Sequence, residues 1–156
     1  MAELFVEIFG KPHGIIVFQL LAACRFTIYL SLIAFIGGGA VACLITLFRI
    51  SKNSSLQRLA ASFIWIFQSV PLLMLLFLIG LGLPRLLDIN IDPWTAATFA
   101  LVLFTSAYLA EVWRGAVESV AKGQWEASFA LNMEYSLLLR KVIIPQALKF
   151  GIAPTV

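Results

Sequence analysis

Apolar residues run almost unbroken through three stretches of the chain, and charged residues gather between them. The first stretch occupies about 20–48, and its uncharged part begins after Arg25. The second occupies about 59–83. The third runs over about 94–113 and carries one acid, Glu111, where it nears the water. A helix needs about 20 apolar residues to cross the hydrocarbon of a bilayer, and each stretch supplies them. Barrel strands would instead alternate apolar and polar positions over segments of about 10 residues, and these stretches do not alternate. A fourth apolar segment, 145–156, starts at Pro145 and has no polar tail behind it, which predicts a further span and a chain truncated at its C-terminus. The expected fold is an all-α integral membrane protein, a single multi-span transmembrane domain over 1–156.

Composition removes the soluble alternatives. Hydrophobic residues make up 62% of the 156 and charged residues 12%, with a mean hydropathy of +0.99. Soluble domains sit near about 45–50% and 25%, and a chain this short needs a larger polar skin than it has. In lipid the backbone must satisfy its own hydrogen bonds, which again selects helices. The net charge of +3, with no basic block, excludes nucleic acid as a partner. Cys24 and Cys43 lie far apart along one apolar stretch and read as small packing residues rather than a disulfide. His13 is the single histidine, so no metal centre is expected. No phosphate-binding Gly-x-x-x-x-Gly-Lys-Ser/Thr loop is present. The uncharged stretches hold no paired ionisable residues, so no catalytic site is expected. Met1 to His13 carries Glu3 and Glu7 and lacks the basic start of a signal peptide.

The loop charges orient the spans. Arg49–Arg58 holds Arg49, Lys52 and Arg58 and no acid, whereas Pro84–Pro93 sets Arg85 against Asp88 and Asp92. The positive-inside rule puts the first loop in the cytoplasm, the second outside, and the N-terminus outside. Arg114, Lys122, Arg140 and Lys141 then fall on the cytoplasmic side, and Trp94 at the outer interface. Two features interrupt the spans. Gly37-Gly38-Gly39 removes three side chains in a row, which suits close approach of another helix. Gln68-Ser69-Val70-Pro71 puts polar groups and a proline inside the second stretch; it is either a packing kink or a broken helix beside a substrate path.

The segment after the third span, 114–144, is too long for an ordinary connection. Glu111, Arg114, Glu118 and Lys122 recur every three or four residues with alternating sign and predict a helix laced by ion pairs. Gly123 is expected to break it. A short helix follows over Gln124–Leu131, with Asn132 placed as a left-handed C-terminal cap, and a last helix starts at Asn132 or Ser136 and runs to Pro145. So short a helix needs a docking surface. Either it plugs into a cytoplasmic partner, through small Ala127 and Ser128, apolar Trp125, Phe129 and Leu131, and the charge of Glu126, or it packs on its own chain.

Gly123-Gln124-Trp125-Glu126-Ala127-Ser128, then Asn132, then Val142-Ile143-Ile144-Pro145-Gln146-Ala147 resembles the EAA motif of ABC importer permeases: Glu-Ala-Ala, three residues, Gly, nine residues, Ile-x-Leu-Pro. The spacing fits without insertions, and the flanking Gly-Gln and Pro-Gln-Ala are similar to the polar amino-acid uptake subfamily. Thr27–Ser51, Phe67-Gln68-Ser69-Val70-Pro71-Leu72-Leu73 and Tyr108–Gly115 resemble further stretches of that subfamily, so the likeness extends from about Ile15 to Ala147. Ser128 stands for the second Ala, Asn132 for the Gly, and Gln68 for an Arg.

The resemblance implies a transport subunit rather than an enzyme, in the bacterial inner (cytoplasmic) membrane. Its implied partners are a cytoplasmic ABC ATPase that binds the ATP and Mg, a second permease chain, the same or related, and a periplasmic or surface-tethered amino-acid binding protein. It implies no cofactor on this chain. It assigns ATPase coupling to Gly123, Gln124, Glu126, Ala127, Ser128, Asn132 and Pro145, and a translocation path to Gln68, Ser69, Pro71 and Glu111. The expected substrates are polar amino acids, with glutamate or aspartate suggested by the Ser-x-Pro-Leu stretch. The alternative is a non-transporting scaffold that keeps only the docking loop.

Overall fold

A computed structural model of the protein describes residues 13–155. The N-terminal residues read above for a signal peptide, apart from His13, lie outside the described residues, as does Val156. The described chain is built from helices and turns: α1 (His13–Arg49), α2 (Ser54–Ser69), α3 (Leu72–Phe77), a π-helical turn π1 (Leu78–Gly82), α4 (Leu83–Leu87), α5 (Pro93–Glu118), α6 (Lys122–Ala130), α7 (Tyr135–Leu138), a second π-helical turn π2 (Leu139–Ile143) and α8 (Ile144–Thr155).

The packing inverts the rule of soluble proteins. On α1 the buried positions are Ala34, Gly38, Ala42, Ile45 and Thr46, mostly small and four apart, while Ile28, Leu32, Ile36 and Leu44 stand outward and exposed. On α5 the buried set is again mostly small: Ala96, Ala100, Ser106, Ala107, Ala110 and Ala116, with Leu109 and Val117 as the larger members. Small residues let backbones approach, and lipid covers the large ones. Of the three consecutive glycines, Gly38 is the seam: a Cβ there would lie 2.8 Å from Thr105 Cβ, whereas one on Gly39 would meet nothing nearer than Trp113 at 3.9 Å.

The register of this seam fixes the topology. Phe26 meets Trp94 with ring centroids 5.8 Å apart, Gly38 faces Thr105 and Ser106, and Thr46 Oγ1 donates to the Ala110 carbonyl at 3.4 Å. Both numbers climb together, so α1 and α5 run parallel and the residues between them must return across the same thickness. They do so in a bent path. α2 and the Leu72–Leu87 helix form an angle of 98°. Val70 is extended at φ −103° and ψ 124°, as a residue before proline prefers, and Pro71 opens the next helix.

Two more prolines shape helices without ending them. Pro84 lies two residues past the end of π1, and Pro145 two past the end of π2. A proline in a helix lacks an N–H and crowds the carbonyl four residues back. A π turn ahead of it widens the spiral and relieves that crowding. Pro145 therefore does not end the last helix; the chain runs helically from Tyr135 to Thr155. α8 packs back along α5, with Gly151 against Ala116 and Trp113 Nε1 donating to Thr155 Oγ1 at 3.0 Å. Its contacts run opposite in number, so it is antiparallel to α5.

Candidate functional site

α6 lies at the end of the bundle where α1 and α5 finish. α5 stops at Glu118, and the turn is Ser119-Val120-Ala121, with Ser119 Oγ donating back to the Gly115 carbonyl at 2.8 Å. Gly123, expected to break the helix, instead sits in the first turn of α6. Lys122 belongs to α6, so the ion-pair ladder ends one member early: Arg114 pairs with Glu111 and with Glu118. Val120 is the buried pivot, inserted in a cluster with Ala116, Val117, Leu138, Ile143 and Ala147.

The far end of α6 follows the cap expected of it. Asn132 has φ 52°, its N–H donates to the Phe129 carbonyl at 2.9 Å, and the Met133 N–H donates to the Ser128 carbonyl at 3.1 Å. Those two bonds satisfy carbonyls that the helix end leaves open.

The residues of α6 divide between two faces. Trp125 packs on the cluster around Val120, and Ser128 is buried with its Oγ donating to the Gln124 carbonyl at 2.7 Å. These two serve the chain's own core, not an outer surface. Gly123, Glu126, Ala127 and Ala130 form the exposed stripe, with Phe129 and Leu131 beside it, exposed at 53% and 76%. Apart from its chain neighbours and its own helix backbone, no atom among the described residues would lie within 4 Å of a Cβ on Gly123. The internal packing therefore does not require a glycine there.

Side chains tie α6 and the turn after it to two long helices. Gln146 Nε2, at the start of α8, donates to Gln124 Oε1 at 3.2 Å. Tyr135 Oη donates to the Ile50 carbonyl at 2.5 Å, at the end of α1, and Lys52 Nζ sits 4.8 Å from the centre of the Tyr135 ring. Burial pushes the Tyr135 hydroxyl above the usual tyrosine range. Pro145, the last of the expected coupling residues, is exposed just before Gln146.

Of the four path candidates, the structure brings two together. Gln68 and Glu111 line an open cleft of about 450 Å³, joined there by Arg49, Trp65 and Ser62. Gln68 Nε2 donates to the Ala107 carbonyl at 3.3 Å. Ser69 and Pro71 sit at the exposed bend, where Ser69 Oγ donates to the Trp65 carbonyl at 2.6 Å. Arg49 was read from sequence only as a loop charge. Its place on the last turn of a long apolar helix, at the level of Glu111 on a parallel neighbour, becomes visible only once the register of α1 on α5 is known. Among the described residues no group of three His, Cys, Asp or Glu could hold a metal ion.

Comparison with known proteins agrees with this geometry. Residues 34–156 match the family model described as "Binding-protein-dependent transport system inner membrane component". The chain is 34% identical over 129 residues to the probable amino-acid ABC transporter permease protein YckA of Bacillus subtilis, covering 83% of this chain and 57% of that one. It is 35% identical to the nopaline transport system permease protein NocM of Agrobacterium fabrum, covering 94% and 61%. A solved amino acid ABC transporter, crystallised with histidines, superposes with a TM-score of 0.82 at 31% identity over 91% of this chain and 67% of that one. The chain thus spans less than two thirds of the length of these curated relatives.

Proposed function

The chain belongs to the family of binding-protein-dependent transport system inner membrane components, and from that premise we propose that it is a permease subunit of an ATP-driven importer of polar amino acids, glutamate and aspartate among the candidates. The observation that carries the reading is α6: a short helix at one end of the bundle, capped by Asn132, held from behind by Trp125 and Ser128, and presenting Gly123, Glu126, Ala127 and Ala130 outward. Small residues on an exposed helix permit close approach of a groove. The tethers from Gln124 to Gln146 and from Tyr135 to Ile50 connect that helix to α8 and α1. A partner ATPase that closes on ATP and Mg would move α6 as a rigid body and carry those helices with it. A second permease chain would complete the pore, and a binding protein would deliver substrate from the far side.

In this reading the α6 end is cytoplasmic and the N-terminus outside. The parallel arrangement of α1 and α5 supports it. It places Arg49, Lys52 and Arg58 at the same end as Arg114 and Lys122, with Asp88 and Asp92 at the other, as the positive-inside rule requires.

The test is uptake of a panel of radiolabelled L-amino acids into proteoliposomes holding the chain, its second permease chain, the ATPase and the binding protein. ATP-dependent entry of one or more polar amino acids is expected. Assembly with the ATPase but no ATP-dependent entry of any amino acid would favour the scaffold reading instead.

A further inference from the structure

We propose that the groove bounded by α1, α5 and α8 is a site for one anionic phospholipid, with an acyl chain lying in the groove and the phosphate at its mouth on Lys52 and Arg140. The site goes beyond the importer reading and takes from it only the leaflet, the cytoplasmic one.

The groove has a volume of about 430 Å³, and Cys43, Leu47, Val117, Ile144, Leu148 and Ile152 are among its walls. From Ile144 to Thr155 it follows α8 for about 16 Å, at about 1.5 Å per residue. Its polar donors are already committed. Thr46 Oγ1 donates to the Ala42 carbonyl at 2.8 Å. Trp113 Nε1 donates to Thr155 Oγ1, which in turn donates to the Gly151 carbonyl. Such a surface favours hydrocarbon and disfavours polar solutes. It runs along the spans rather than beyond them, where lipid supplies the hydrocarbon.

Charge at the mouth selects among lipids. On its α1 side the groove ends at Ile50, whose carbonyl accepts from Tyr135 Oη, and Lys52 Nζ sits 4.8 Å from the centre of the Tyr135 ring. On its α8 side it begins at Ile144, and Arg140 and Lys141 lie within one turn before that residue. Lys52, Arg140 and Lys141 are exposed, and among the described residues none of them forms an ion pair. Glu134, next to Tyr135, is exposed and pairs with none of the three. Cations without carboxylate partners, at the edge of the membrane and between spanning helices, attract an anionic headgroup. Lys149, exposed beside Leu148 on α8, would reach back along the helix to the same headgroup layer. A second protein helix could fill the groove but would have no need of the cations at its mouth. A lipid seated here bridges the ends of α1 and α8, next to the Tyr135–Ile50 bond that tethers the turn after α6.

The experiment is native mass spectrometry of the complete complex in detergent, with added phosphatidylglycerol or phosphatidylcholine of the same acyl composition. The wild type should retain phosphatidylglycerol at least about tenfold more tightly, the size expected of two cations near an anionic headgroup. Lys52→Gln combined with Arg140→Gln should bring phosphatidylglycerol down to the phosphatidylcholine level with the complex intact. Arg58→Gln, which removes a charge outside the groove, should behave as the wild type. In a Cys24→Ala background, benzophenone maleimide on Cys43 should on irradiation leave a lipid adduct on the peptide that holds Cys43. A double variant that keeps the preference for phosphatidylglycerol, or a wild type that never shows it, would overturn the proposal. So would cross-linking of Cys43 to protein, which would make the groove a seat for another helix. Amino-acid uptake enters none of these readouts, so this site and the importer reading can fail separately.

Discussion

Gly38 and Asn132 show how single residues set this structure. Gly38 is needed for space: adding one carbon would place it 2.8 Å from Thr105 Cβ, while Gly39 has room for one. Gly38→Ala should therefore destabilise the fold by about 1–3 kcal/mol, with Gly39→Ala near neutral, as thermal unfolding in detergent would record. Asn132 is needed for its φ of 52°. Asn132→Gly should preserve the cap, whereas Asn132→Val should cost about 1–2 kcal/mol. Tyr135 adds a pH dependence. Its hydrogen bond to the Ile50 carbonyl needs the phenolic proton, and burial raises its folded-state pKa above the unfolded value of about 10. The stabilisation is fully present below the unfolded value and is lost as pH rises through the raised one. Tyr135→Phe should remove that alkaline loss from a series of melting curves. At this scale the sequence was informative where chemistry is local. Asn after a short helix announces a left-handed cap, but nothing local told Gly38 from Gly37 and Gly39, because Thr105 sits 67 positions away in the chain.

Among the elements, the hydropathy of α1 and α5 made them legible, since lipid rather than core packing decides what a spanning helix is made of. Pro71 also announced the bend after α2. The end of α5 was misplaced at Gly123. A glycine is permissive, not obligatory, as a breaker, and the turn forms earlier because Ser119 bonds back to Gly115 and Val120 drops into the core. The π turns before Pro84 and Pro145 had no signature beyond the prolines themselves. Pro145→Ala should allow π2 to contract to α-helix, rotating α8 by about one residue, roughly 100°. A disulfide between cysteines placed at Trp113 and Thr155, which face each other across α5 and α8, should then form less readily than with Pro145 in place.

For the molecule as a whole, three alternating spans already implied that α1 and α5 run parallel; the structure adds their register, Gly38 against Thr105 and Thr46 against Ala110, which gathers the basic loops, α6 and the Arg49 cleft at one end. Membrane-impermeant maleimide should accordingly label Asp88→Cys from outside intact cells and leave Lys52→Cys untouched until the membrane is opened. The two faces of α6 likewise emerged only from packing: the motif residues look alike in sequence, but Trp125 and Ser128 turn inward while Gly123, Glu126 and Ala127 turn out.

That outward face carries the central claim, and the most direct test is the affinity of the partner ATPase for the purified permease in detergent, with and without Gly123→Leu. Because Gly123 is exposed and a Cβ there has open space beyond its own helix backbone and chain neighbours, the variant should fold as the parent does. The account predicts that the ATPase binds the parent and binds the variant at least about tenfold more weakly, since a bulky side chain would hold the groove off the helix. Equal affinity for a folded variant would contradict it and remove α6 as the coupling element.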